Sequence, residues 1–155
     1  MRNWTVLVSA LALGAFLGKD AKATESKVTW NQLPEEVRRA ADEQSHGATV
    51  RGYSKETESG QVEYEVEMTV NGHSKDVSIA PDGRVLEVEE EVSLDSLSPQ
   101  ARKGLEAKAG GAKIRKVESL IKNGKLVAFE AQLAKGGKHS EIQVAPDGSP
   151  LDHEE

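Results

Sequence analysis

The stretch IAPDGRVLEVEEE (Ile79–Glu91) is echoed by VAPDGSPLDHEE (Val144–Glu155), so Ala-Pro-Asp-Gly occurs twice, each time between an apolar run and an acidic one. The match extends outward from both turns. Leu33–Gly60 aligns with Leu97–Gly124 at a constant offset of 64, with Leu33/Leu97, Arg38/Arg102, Gly47/Gly111, Ala48/Ala112, Arg51/Arg115 and Gly60/Gly124 coinciding. One inserted residue then makes the offset 65. Val62/Val127, Tyr64/Phe129, Glu65/Glu130, Met68/Leu133, Gly72/Gly137, Val77/Ile142, Ile79/Val144 and Leu86/Leu151 match in identity or type. Self-similarity of this length outranks any local motif and reads as one unit written twice.

Each unit opens with a helix signal. Pro34 and Pro99 stand at helix starts, and Ser98 is a natural cap. Leu33, Val37, Ala40 and Ala41 form one apolar stripe at helical spacing, which Leu97, Ala101, Gly104 and Leu105 reproduce. Gly47 and Gly110-Gly111 end the helices. VEYEVEMTV (Val62–Val70) alternates apolar and polar residues, as does its copy around Val127–Leu133. Asn71-Gly72 and Gly136-Gly137 are hairpin turns. Strands around Val77–Ile79 and Ile142–Val144 lead into the Pro81-Asp82-Gly83 and Pro146-Asp147-Gly148 turns. There Pro presets φ, Asp bonds its own backbone and Gly takes the left-handed position. A last strand carries Leu86 and Val88, or Leu151 in the copy, and a strand near Thr49–Tyr53, or Lys113–Val117, completes the set. The expected fold is α+β: two tandem units of one helix and four antiparallel strands, joined into one curved sheet with the helices on one face.

The first 23 residues have the layout of a secretory signal peptide, with Arg2, an apolar run Trp4–Leu17 and Ala21-Lys22-Ala23, and cleavage is expected after Ala23. The organisation is then signal peptide 1–23, first repeat 24–92 and second repeat 93–155, in a periplasmic or secreted protein that is free of the membrane after cleavage. The chain has no Cys, so the exported domain folds without disulfides. From Thr24 to Val92 there are 7 Lys/Arg against 16 Asp/Glu, and from Ser93 onward 10 against 9. An acidic half argues against nucleic acid, which requires a basic footprint, and against anionic lipid.

The sequence carries no G-x-S-x-G, H-E-x-x-H or phosphate-loop motif, and it points to no enzyme, metal or cofactor. His46, His73, His139 and His153 form no ligand-spaced pair. Asp82 and Asp147 stand one to a loop, too few oxygens for calcium. EVEEEV (Glu87–Val92) reads as charge protection at the end of a strand.

The series LPEEVRRAA, GATV, YEVEMTVNG and DVSIAPDGRVLEVEE resembles a PepSY-like domain, the group also described as beta-lactamase-inhibitor-protein-like. LSPQARKGL, GAKI, FEAQL and EIQVAPDGSPL are similar but more diverged. The resemblance implies an exported protein with a helix packed on an antiparallel sheet and no catalytic residues. It also implies a protein-binding, propeptide-like or inhibitor-like role, with a peptidase among the partner classes. From the alternation, Glu63, Glu65, Glu67 and Asp76 of the first unit and Glu130, Gln132, His139 and Glu141 of the second are expected on the open sheet face, with Tyr53 as an outward aromatic anchor. Such a face suits a basic protein partner, or failing that a cation taken up by the acids of the first unit.

Overall fold

The computed structural model describes residues 24–58, 60–153 and 155. The proposed signal peptide lies outside the described residues. Eight strands form a single sheet in the order β1 to β8, every neighbouring pair antiparallel. The strands are β1 (Thr24–Val28), β2 (Thr49–Glu58), β3 (Gln61–Val70), β4 (His73–Ile79), β5 (Val85–Glu91), β6 (Lys113–Lys122), β7 (Lys125–Lys135) and β8 (Lys138–Val144). Helix α1 (Glu35–Gln44) connects β1 to β2, and α2 (Pro99–Ala109) connects β5 to β6, each after a short 3-10 turn. Among the described residues no helix is long and apolar enough to cross a membrane.

The alternation places both helices on one face. Val66, Val77, Val88 and Ile121 stand opposite one another across β3 to β6, and Val117 shares their side of β6. Val37, Ala40 and Ala41 of α1 close over Tyr64, Val66, Met68, Val77 and Ile79. Leu105 and Ala109 of α2 close over Val117, Ala131, Leu133 and Val144. Burying a Leu such as Leu105 contributes about 2 kcal/mol against leaving it in water.

The strand pairings follow the sequence offsets. Lys27 faces Ser54 as Glu91 faces Glu118, Tyr53 faces Val66 as Val117 faces Ala131, and Val66 faces Val77 as Ala131 faces Ile142. The register shift at Val50/Gly52 recurs at Ile114/Lys116. Two expectations need correcting. The C-terminal residues around Leu151 form no strand, because Pro150 follows the turn at once and offers no N–H to a ladder. A strand that composition did not announce, β1, pairs at the other edge. Each helix is therefore preceded by one strand and followed by three, so β5 corresponds to β1.

The two Pro-Asp-Gly turns dock under the helices. Asp82 Oδ1 accepts the Arg84 N–H at 3.1 Å, and Asp147 Oδ1 accepts the Ser149 N–H at 2.9 Å. Gly83 has φ +85° and Gly148 φ +83°. A Cβ on Gly83 would run into the Glu36 carbonyl, and one on Gly148 into that of Gln100, on the first turn of the neighbouring helix. Glycine is needed there twice over, for the left-handed backbone and for the close approach.

A candidate binding face on the sheet

Among the described residues no helix packs on the opposite face, which collects the polar half of each alternation. Glu67, Asp76, Glu89, Leu120 and Ala128 form one row across β3 to β7. Glu65, Ser78, Glu87 and Lys122 form a second, and Glu91, Glu118, Glu130 and Gln143 a third. Lys116, Gln132 and Glu141 lie beyond them, with His139 on the same side of β8.

This face is not the evenly wet platform that alternation suggests. Glu118 is 2% exposed, Glu130 3% and Gln143 4%, and Leu120 and Ala128 are buried beside them. With no helix above, long side chains from adjacent strands of a twisted sheet cover one another. Glu63, Glu67, Asp76, Gln132 and Glu141 are half-buried and His139 is exposed, so they form the accessible rim.

Three cations reach into the acids. Arg51, brought to this side by the register shift in β2, lies 3.0 Å from Asp76 and 4.0 Å from Glu67. Lys116 Nζ is 2.6 Å from Glu118, and Lys122 Nζ is 3.6 Å from Glu87. Burial, with Asp76, Glu56, Glu67 and Glu25 adding repulsion, pushes the Glu65 carboxyl up to about 8. Burial pushes Glu130 up to about 7; the Gln143 amide, donating to its Oε2 at 2.8 Å, pulls it down, while Glu141, Glu118 and Glu87 push it up. Burial also holds Glu89 far above the usual range, reinforced by Glu87, Glu118, Glu130 and Asp76. Asp76 is raised by burial despite Arg51 and Lys116.

Carboxylate oxygens of Asp76, Glu89 and Glu118 all lie within 4.8 Å of one another. Only Asp76 of this trio is among the sequence-derived candidates. Glu89 sits in EVEEEV, which the structure places in the middle of the sheet rather than at a protected end, since β5 pairs on both sides. The signal was present: Glu87, Glu89 and Glu91 alternate with Val88. Tyr53 is also misplaced by the sequence reading. It stands opposite Val66 on the helix face, packs against the first core and meets the Trp30 ring at a centroid distance of 5.8 Å.

A single antiparallel sheet with two helices on one face and an acid-lined reverse defines an α+β class that occurs among known structures. A periplasmic-described protein from Bacteroides eggerthii DSM 20697 matches with TM-score 0.62 and 17% identity over 77% of this chain and 86% of that one. A BLIP-like protein from Bacteroides fragilis NCTC 9343 matches with TM-score 0.57 and 20% identity over 77% and 83%. A DUF2874 family protein from Bacteroides ovatus ATCC 8483 matches with TM-score 0.61 and 17% identity over 78% and 86%. At such identities the likeness is one of fold, and the fold is BLIP-like. No family model matches the sequence. No curated protein matches it either.

Proposed function

We propose that the chain is an exported, non-catalytic binding module built from two PepSY-like units, β1 to β4 and β5 to β8, whose sheet face away from the helices holds a positively charged protein partner such as a basic peptidase. The observation that carries this reading is the run of carboxylates over six consecutive strands, from Glu63, Glu65 and Glu67 on β3 to Glu141 on β8. The shared register and the repeated bulge support the two-unit reading. The negative potential comes from the rim carboxylates Glu63, Glu67 and Glu141, because Lys122 and Lys116 neutralise Glu87 and Glu118 and burial raises Glu130 to about 7. Rim residues Glu63, Glu67, Gln132, His139 and Glu141 would make the contacts. Complementary charge of this kind steers encounter and fixes register more than it adds affinity. One neighbour of the fold is described as BLIP-like, and a protein-binding role fits that description.

The test uses the purified chain as bait in an envelope extract, beside a variant carrying Glu63→Lys and Glu67→Lys. One protein held at low salt, released at high salt and lost to the folded variant supports the reading. Equal retention by both baits rejects it.

The Asp76–Glu89–Glu118 trio favours a second reading, uptake of a divalent cation. Clustered hard oxygen donors suit calcium. It stands second because Arg51 and Lys116 already give two of the three a positive neighbour. Calorimetry with calcium, and a calcium-dependent rise in Tm that Glu89→Gln abolishes, would place it first.

A further inference from the structure

Resting on the two-unit reading, we infer that the outer edges of the sheet pair head to tail, the β1 edge of one copy lying along the β8 edge of the next. The template is inside the chain. Strands β4 and β5 join the two units, with Lys75 facing Glu90, Asp76 facing Glu89 and Val77 facing Val88. The offsets carry β4 onto β8 and β5 onto β1. Both members of the internal joint thus have a counterpart at an edge, one at each end of the sheet, with no further strand beside it among the described residues.

The same offsets fix the register. Ser140 meets Ser26 of the second copy, with Glu141 opposite Glu25, Ile142 opposite Thr24, His139 opposite Lys27 and Lys138 opposite Val28. Thr24 to Lys27 and Lys138 to Ser140 are exposed, which leaves these edges accessible. The C-terminal residues meet β8 further along, where the Glu155 N–H donates to the Gln143 side chain and Lys108 Nζ to the Gln143 carbonyl. Directly opposed Glu25 and Glu141 repel, as Asp76 and Glu89 do at the internal joint. Glu141 is offset by a diagonal neighbour on the same face, Lys27. A ladder of five residue pairs buries little surface, so the contact belongs with weak, transient interfaces. Because the two edges differ, the contact is heterologous, and each copy added presents one β1 edge or one β8 edge to the next.

The chain has no cysteine, so introduced thiols report pairing directly. Ser26→Cys and Ser140→Cys are made in separate chains and mixed under mild oxidation. Mixed dimers are expected at least tenfold faster than from Ser26→Cys mixed with Ser96→Cys, a position that precedes α2 and belongs to neither edge strand. In sedimentation, the cysteine-free chain should show average mass rising with concentration past that of a dimer. Lys27→Glu should weaken association about threefold, and adding Glu141→Lys should restore it. No rate advantage for the matched pair, or a mass that stops at the dimer, overturns the inference. Lys75→Cys with Glu90→Cys in one chain separates the two readings. If that internal bond closes while the matched intermolecular pair fails, only the head-to-tail inference falls; if neither forms, the joint used as its template falls too.

Discussion

Glu65 and Glu130 occupy the same place in the two halves of the sheet, each on the middle strand of its hairpin pair, facing away from the helix. Burial raises both, yet Glu65 stands at about 8 and Glu130 at about 7. The residue across the next strand separates them. Glu130 faces Gln143, whose amide donates at 2.8 Å, whereas Glu65 faces Ser78, whose shorter side chain makes no such bond. A neutral donor on the adjacent strand thus does part of what a counter-charge would do, without adding another ion to desolvate. The helices show a parallel exchange. Val37 and Ala41 anchor α1, while Ala101 and Leu105 anchor α2, so the larger side chain moves by one turn and both stripes stay buried.

That exchange can be broken from either side, with the largest effect in the second half. Leu105 is fully buried and its site is closed by Val117, Leu133 and Val144. Leu105→Ala should cost about 3–5 kcal/mol, since the removed carbons leave a cavity between α2 and the sheet. Val37→Ala, which removes one carbon fewer, should cost about 2 kcal/mol. Chemical denaturation at neutral pH measures both. Equal losses would mean the two helices are not anchored as the burial implies.

The docked turns give the next comparison. Gly148 approaches Gln100 and Gly104 more tightly than Gly83 approaches Glu36. Gly148→Ala should therefore cost about 3 kcal/mol, combining left-handed strain with backbone overpacking. Gly83→Ala should cost about 2 kcal/mol, because its contact is looser. Thermal melts rank them, and a milder loss at Gly148 would contradict the close approach of α2.

Much of this architecture was legible in the residues. The alternation of Val62–Val70 and its copy, the glycine turns and the helical stripes act locally and leave period-2 or period-3.6 marks that survive in the sequence. β1 was not legible, because TESKV is polar and gains its strand form from pairing with β2. Nor was the position of β5. Whether a strand lies at an edge or in the middle depends on what the following helix brings beside it, which no local pattern records. The acid trio was missed for the same reason. Asp76, Glu89 and Glu118 lie on three different strands, and only the register brings them together. Tyr53 failed differently. The bulge at Val50/Gly52 shifts the pairing by one residue and puts Arg51 on the acid face and Tyr53 on the helix face.

The raised carboxyls of the acid face give the chain an unusual pH dependence. A carboxyl whose pKa rises on folding holds its proton more tightly in the folded chain. Its stabilising contribution is full below the ordinary value of 4.5 and is lost as pH climbs through the folded value, about 8 for Glu65 and about 7 for Glu130. Stability should fall by about 2 kcal/mol between roughly pH 5 and pH 9, opposite to the usual gain of an acidic protein leaving acid. Glu91 acts in the opposite sense but below this window: the Ser74 N–H, donating at 3.1 Å, helps hold its carboxyl below the ordinary value of 4.5, so its contribution is already complete by about pH 5. Glu65→Gln should flatten the slope more than Glu130→Gln. Glu89→Gln should also stabilise the chain at neutral pH by about 1 kcal/mol, by removing a carboxyl crowded by other acids. A stability that instead rose steadily from pH 5 to pH 9 would show these acids to be hydrated and unstrained.

The smallest change tests the Glu65–Glu130 comparison most directly. Gln143→Ser gives Glu130 the neighbour that Glu65 has, removing one neutral donor and with it the acceptor of the Glu155 N–H. Its carboxyl should rise from about 7 toward the value of about 8 held by Glu65, as read from the side-chain carbon shift in a titration by NMR. Because the folded form then holds its proton still more tightly, the extra stability lost above neutral pH should be on the order of 1 kcal/mol, with little change near pH 5. The reciprocal Ser78→Gln should lower Glu65 by a similar amount. If only Gln143→Ser moves its target, the amide at 2.8 Å acts through a geometry that the first half does not share. If neither does, the difference between the halves lies in the surrounding acids, with Glu56 and Glu25 the leading candidates.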